Sequence, residues 1–341
     1  MQVQQNYPLK KYNTFGIDAY AARFSAFSSV RELQILLEEE KNISSRMILG
    51  GGSNILFTKN YDGLILKNEI PGIEVIREDQ DDIYIKVGAG VEWHRFVLYC
   101  ADHNYGGVEN LSLIPGKAGA SPMQNIGAYG VEIKDVFYQL EALHLHDRNI
   151  QIFSAENCGF GYRESVFKKK LKDQFAILSV TYRLHKKPVF NISYGALPEA
   201  LNKMKVSNLS VKAISDAVIN IRTAKLPDPG IIGNAGSFFK NPVIGRRQFN
   251  TLNEFQQQAE HSIPFYKIDE ENYKVPAGWL IEQCGWKGFR NGDAGCYDRQ
   301  ALVLVNYGNA SGKEIYQLSE EIKLSVQEKF GIELEREVNV V

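Results

Sequence analysis

Cysteine is scarce in this chain: four thiols, Cys100, Cys158, Cys284 and Cys296, are scattered through 341 residues. No two of them form a C-x-x-C pair, so neither a zinc ribbon nor a redox dithiol is written here, and the reduced thiols of a cytoplasmic protein are expected. Long apolar runs are missing too. Nothing approaches the roughly 20 residues that a bilayer-spanning helix needs, and residues 1–15 lack an apolar core before a small-residue cleavage site, so neither a membrane span nor a secretory leader is expected. Charge of one sign is the third absence, since 39 Lys plus Arg face 40 Asp plus Glu for a net charge of -1. With no general basic field, nucleic acid is not an expected partner. The dense basic run Lys168-Lys169-Lys170-Leu171-Lys172 reads as the solvated end of an element. No His, Cys, Asp or Glu spacing suggests a metal site.

Apolar residues make up 44% of the chain and charged residues 23%, enough core material for two or three compact units at this length. Ser28-Ser29-Val30-Arg31-Glu32-Leu33 predicts a helix start, with apolar residues continuing at Leu36 and Leu37. A strand-turn-strand is expected over residues 46–57, and further strands at residues 63–66, 83–87, 136–145 and 175–184. Helices are predicted over residues 91–105, 276–284 and 312–330, and a strand over 332–341. The breaker cluster Pro227-Asp228-Pro229-Gly230 marks a domain junction, because two prolines and a glycine cannot sit inside a regular element.

Two glycine-rich segments stand out. Gly50-Gly51-Gly52-Ser53-Asn54 lies between apolar runs, where residues without β-carbons let backbone approach a ligand and aim N–H groups at an anion. It is not the dinucleotide fingerprint G-x-G-x-x-G, and alone it reads as a tight hairpin. The second segment, residues 115–130, is almost all small: Pro115, Gly116, Gly119, Ala120, Ser121 and Gly127, with Tyr129 near its end. Ser121-Pro122 has the form of an N-cap and first helical residue, which predicts a helix N-terminus suited to a pyrophosphate. Two such loops suggest a dinucleotide.

Three more segments each carry one reactive group: Gly161-Tyr162-Arg163, Gly236-Ser237-Phe238-Phe239-Lys240-Asn241-Pro242 and Glu335-Arg336-Glu337-Val338. Singly, Arg163 reads as a surface ion-pair partner, Ser237 as a turn hydroxyl and Glu337 as a solvated residue on an edge strand. Together with the glycine loops and Lys225-Leu226-Pro227-Asp228-Pro229, in this order along nearly the whole chain, they resemble the UDP-N-acetylenolpyruvoylglucosamine reductase family, the UDP-N-acetylmuramate dehydrogenases of peptidoglycan synthesis. Tyr194, in Ser193-Tyr194-Gly195-Ala196-Leu197, matches the tyrosine loop of the family's longer subtype. Lys117-Ala118 departs from the smaller or uncharged residues expected in the second loop.

The resemblance implies an α+β protein with a two-part FAD-binding module of the vanillyl-alcohol-oxidase (PCMH) type. Residues 1–66 with 332–341 and residues 67–226 would form that module, and residues 227–331 a C-terminal α+β substrate-binding domain. It implies non-covalent FAD, held by Gly50, Gly51, Gly52, Ser53, Asn54, Pro115, Gly116, Gly119, Ala120, Ser121, Gly127 and Tyr129. It further implies NADPH as co-substrate and reduction of UDP-N-acetylglucosamine enolpyruvate to UDP-N-acetylmuramate by a cytoplasmic monomer. Arg163 would grip the substrate carboxylate, a protonated Glu337 would donate to it, and Ser237 would deliver a proton to the α-carbon, with Lys240 or a water beside the alkoxide. Tyr194, Arg222, Lys225, Asn241 and Gln283 would bind the UDP part. The competing readings are a flavin oxidase of the same fold, which would leave Ser237, Glu337 and the Lys225 segment unexplained, and a non-catalytic UDP-sugar-binding or regulatory protein that keeps the fold, which a colourless protein unable to take up FAD would favour.

Overall fold

The computed structural model describes residues 2–257 and 263–341. Its contacts divide the chain into two compact units, one of Met1–Tyr7, Tyr20–Gly52 and Tyr61–Ala224, the other of Pro8–Ala19, Ser53–Asn60 and Lys225–Val341. Helices and antiparallel and parallel strands mix in an α+β arrangement.

In the first unit, Tyr20–Phe27 and Arg46–Leu49 both pair in parallel with Tyr61–Asn68. Helix Val30–Glu39 lies between the first two of these strands in sequence. Its start follows from side-chain chemistry: the Ser29 hydroxyl accepts the Glu32 N–H at 3.2 Å, while the Ser28 N–H donates to the Glu32 carboxylate at 2.6 Å. Leu33, Leu36 and Leu37 then fall on one buried stripe with Phe27, Leu64 and Leu66.

A second, five-stranded antiparallel sheet runs in the order Ile150–Ser154, Phe137–His144, Phe175–His185, Asp82–Gly88, Ile73–Glu78. Helix Trp93–Asp102 contributes Trp93 and Phe96 to this sheet's core, where both rings meet Tyr182. Burying a side chain such as Phe96 stabilises by roughly 1.5–3 kcal/mol. The Trp93 indole N–H donates to the Leu111 carbonyl at 2.9 Å and so ties the helix to the approach of the second glycine loop.

The second unit holds a four-stranded sheet in the order Gly233–Ser237, Val303–Asn306, Ala294–Cys296, Arg290–Asn291. Helix Gly312–Phe330 is closed by a capping box between Ser311 and Glu314 and by left-handed Gly331. Among the described residues no helix is long and apolar enough to cross a membrane.

Three expectations change. Arg46–Leu49 and Ile55–Leu56 are not a hairpin: the first pairs with Tyr61–Asn68, the second with Asn339–Val340. No helix begins at Pro122; residues 118–120 form a short 3₁₀ turn that Ser121 closes, its N–H bonding the Ala118 carbonyl at 3.1 Å. Of residues 332–341 only Asn339–Val340 form a strand, with an isolated bridge at Arg336.

Candidate functional site

The glycine loops of the first unit meet backbone to backbone. A β-carbon built on Gly51 would stand 2.9 Å from the Gly116 Cα, closer than real β-carbons come, so packing confines Gly51 to glycine, while a φ of +122° favours glycine at Gly116. Gly119 is equally confined, its imagined β-carbon 2.5 Å from that of Ala89. The loop is fastened through main chain, with Trp93 N–H donating to Gly116 O and Ala118 N–H to Val91 O. Lys117 stays at the rim, its ammonium 3.6 Å from the Glu92 carboxylate. At Gly51 main chain therefore meets main chain, a floor of peptide groups of the kind that suits a dinucleotide pyrophosphate, while the space beside Gly50 faces the Lys117 and Ala120 side chains. Ser121 takes no part in it through its side chain, because its buried hydroxyl is 2.7 Å from the Tyr182 hydroxyl.

Arg163 occupies a tight turn in which Gly161 and Glu164 exchange backbone hydrogen bonds, and its φ of 54° is left-handed. An arginine in that region is costly to hold, a device that concentrates at functional sites. Its guanidinium donates to the Gly127 carbonyl at 2.5 Å and lies near the Tyr162 ring. Arg222, on helix Val211–Lys225, feels both Tyr129 and Arg163 electrostatically. Burial first, and then the Arg163 charge, draw its pKa down, with Tyr129 acting in the opposite direction. Its Nε is buried without a hydrogen-bond partner. Two guanidiniums on one side with an unsatisfied donor make a place for an anion. Tyr194 adjoins the same segment, since a β-carbon on Gly130 would lie 3.4 Å from the Tyr194 Cβ.

Two residues outside the sequence expectations support this group. Asn110, almost fully buried, donates to the carbonyls of Tyr129 at 2.9 Å and Asn191 at 2.8 Å. His94 accepts the Leu113 N–H at Nδ1, 2.9 Å away, which makes it the Nε2–H tautomer; burial and then the Arg222 charge lower its pKa. Neither position carried a motif, only the general rule that a buried polar side chain has partners.

In the second unit, Ser237 follows a bulge. Gly236 has φ +69°, and the pairing with Val303–Asn306 slips between Asn234 and Ser237. The Asn234 carbonyl oxygen of the side chain accepts the Gly236 N–H at 3.0 Å and holds that kink. Beyond it the chain runs antiparallel to the C-terminal segment: Glu337 N–H donates to Phe238 O, and Lys240 N–H to Glu335 O, both at 2.9 Å. The backbones of Ser237 and Glu337 are thereby brought within a residue of one another in register. Lys240 is buried and its ammonium is 2.6 Å from the Glu335 carboxylate.

Asn54 belongs to the same assembly. Its side-chain amide donates to the Glu337 carbonyl at 3.3 Å, and its own carbonyl accepts from the Asn339 side chain at 3.0 Å. Asn241 and Gln283 sit at the two ends of helix Ala277–Gln283, where Asn241 Oδ1 accepts the Ala277 N–H at 2.9 Å. Lys225 ends helix Val211–Lys225 and is exposed; Ser53 precedes Asn54 in the loop. The first unit thus contains Gly50, Gly51, Gly52, the second glycine loop, Tyr129, Arg163, Tyr194 and Arg222, and the second contains Ser53, Asn54, Lys225, Ser237, Asn241, Gln283 and Glu337.

The paired glycine loops lie inside residues 26–149, which match the FAD binding domain family, so fold and loops define an FAD-dependent oxidoreductase. Residues 228–341 match the UDP-N-acetylenolpyruvoylglucosamine reductase C-terminal domain. Over its whole length the chain is 50% identical to the UDP-N-acetylenolpyruvoylglucosamine reductase of Flavobacterium johnsoniae, covering 100% of both. It is 42% identical to that of Pseudomonas savastanoi pv. phaseolicola, covering 100% of this chain and 99% of the relative. The crystal structure of the Thermus caldophilus enzyme shares the fold with a TM-score of 0.67 at 24% identity, covering 100% of this chain and 99% of that one. The chain belongs to the UDP-N-acetylenolpyruvoylglucosamine reductase family.

Proposed function

We propose that the protein reduces UDP-N-acetylglucosamine enolpyruvate to UDP-N-acetylmuramate with NADPH as the electron source, in the cytoplasm. The observation that supports this reading is the bridged pair of segments, residues 237–240 and 335–337, in which Glu337 faces Phe238, one residue along from Ser237. A hydroxyl and a carboxyl group on two bridged segments suit a reaction that adds hydride to one carbon and a proton to the next. Bound FAD supplies the hydride chemistry, and the Gly51–Gly116 floor fits its pyrophosphate.

The chain's own work begins with charge. An enol ether accepts hydride only if its carboxylate takes up the displaced electrons, so the protein must stabilise extra negative charge there. Arg163 does this with a permanently charged guanidinium, each charge-assisted hydrogen bond contributing roughly 1.5–3 kcal/mol. Glu337 works in its protonated form, donating to the same carboxylate. Ser237 gives its hydroxyl proton to the α-carbon. Arg222, Tyr194, Lys225, Asn241 and Gln283 hold the diphosphate and uridine; the unsatisfied Arg222 Nε supports its place in this set. In this reading the chain divides into residues 1–66 with 332–341, 67–226 and 227–331.

The test is anaerobic. NADPH is added to the purified yellow protein, then the enolpyruvyl UDP-sugar, while flavin absorbance is followed. Bleaching and then recovery are expected. Bleaching without recovery rules out the substrate, and no bleaching rules out NADPH.

A further inference from the structure

Between the two glutamates of Glu335-Arg336-Glu337 stands an arginine whose side chain does not join the ladder. Arg336 instead reaches helix Gly312–Phe330. Its Nε donates to the Ser319 hydroxyl at 2.9 Å, a terminal nitrogen pairs with the Glu320 carboxylate, and the guanidinium lies 4.6 Å from the centre of the Tyr316 ring. Ser319 is fully buried, and its own hydroxyl donates to the Tyr316 carbonyl at 2.6 Å, so its oxygen faces Arg336 in a fixed orientation. The Arg336 side chain is only 16% exposed. Three kinds of contact, two of them charge-assisted or cation–π, thus converge on one residue from a single helix turn and a half.

Arg336 sits at the bridge opposite Phe239. The hydrogen bonds on either side of that bridge, Glu337 N–H to Phe238 O and Lys240 N–H to Glu335 O, are the ones that fix the register between the serine and glutamate segments. Apart from this bridge and Asn339–Val340, residues 332–341 form no strand, so a ladder this short has little cooperative support of its own. We propose that Arg336 is a positioning residue: by pinning the C-terminal segment to helix Gly312–Phe330 it holds Glu337 in register opposite Phe238, the residue next to Ser237. Asn54, whose amide bonds the Glu337 carbonyl, secures the other side of the segment.

The inference rests on the functional reading above, and it is specific about where its effect falls. Displacements of about an ångström in a catalytic group cost up to about a hundredfold. Arg336→Ala, Arg336→Lys, Glu320→Gln, Ser237→Ala and wild type are compared by rapid mixing, with flavin reduction by NADPH and reoxidation by the enolpyruvyl UDP-sugar measured separately. Arg336→Ala is expected to bind FAD with an unchanged spectrum and to be reduced within about twofold of the wild-type rate, while reoxidation slows about tenfold to a hundredfold. Arg336→Lys, which keeps the charge and loses the fork, recovers part of that loss. If Arg336→Ala does not fold, Glu320→Gln carries the test, because it leaves the Ser319 bond in place; a reoxidation defect of about threefold to tenfold is expected. Reoxidation at the wild-type rate in the arginine or glutamine variant, or equal slowing of both half-reactions, overturns the inference. Failure of the functional reading looks different: the wild type itself is not reoxidised, or Ser237→Ala is reoxidised as fast as wild type.

Discussion

The glycine floor and the C-terminal segment are built on opposite principles. The floor works by omission: Gly51, Gly116 and Gly119 leave out side chains so that two stretches of main chain can touch and still present bare peptide groups. The segment at residues 335–339 works by addition, with Lys240, Arg336 and Asn54 each reaching out to hold it. An omission has no graded form, since the smallest added side chain collides with backbone. A set of separate polar holds can be weakened one member at a time. Cofactor retention and proton delivery should therefore respond to substitution in different ways, one abruptly and the other in steps.

The largest effect that would break this contrast is expected at Ser237. Replacing it with alanine should slow reoxidation by the enolpyruvyl sugar about 10²–10⁴-fold with flavin reduction unchanged, as measured in single turnovers. Cysteine at the same position should retain much of the rate. Next comes the floor. Gly51→Val places branched carbon against Gly116, and overpacking of about 1–3 kcal/mol predicts a protein purified largely colourless, with FAD affinity down by roughly tenfold to a hundredfold in a flavin titration. A Gly51→Val protein that stays fully yellow would show that the floor yields and the contrast is false. Arg163→Lys keeps the charge but loses the bidentate grip, so kcat should fall about tenfold.

The smallest effect sharpens the picture of the first unit. His94 is half-buried with its pKa below the ordinary 6.5, by burial first and then by Arg222. The folded protein therefore binds a proton there less readily than the unfolded chain. The stability this contributes is complete above pH 6.5 and is lost as pH falls from there through the folded pKa. Glu109 has the opposite sign: burial raises its carboxyl above the ordinary 4.5, so its unfavourable contribution grows as pH rises past that value. Melting temperatures of His94→Gln, which can still accept the Leu113 N–H, should decline less than those of wild type between pH 6.5 and pH 5. Parallel curves would mean that His94 is not the group being protonated.

Much of the fold was legible because its signals are local. Ser29 and Glu32 announce a helix with side chains three residues apart, and the helix expected over residues 312–330 spans Gly312–Phe330. Strand partners were not legible. Ile55–Leu56 reads as the second arm of a hairpin until its partner, Asn339–Val340, is known from the far end of the chain. Ser121-Pro122 carries a genuine cap signature, but tertiary demand on the serine hydroxyl by Tyr182 and the turn at residues 118–120 prevail over it. In the candidate site, the segments around Arg163, Ser237 and Glu337 could be singled out by type and order. The left-handed backbone of Arg163, the unsatisfied Arg222 Nε and the grip of Arg336 could not, because each depends on residues distant in sequence or on burial.

The partnership of residues 53–60 with the far end of the chain also sets a timetable. Thr58 accepts no strand neighbour locally; its N–H and hydroxyl both donate to the Val341 carbonyl, 283 residues later. On a ribosome adding about 5–20 residues per second, the loop that carries Ser53 and Asn54 waits on the order of half a minute for that partner to be made. During the wait Ile55, Leu56 and Phe57, all buried in the finished protein, have no sheet to join. The nascent chain thus carries an apolar strand in search of an edge, a natural point for a chaperone to hold and for aggregation to begin.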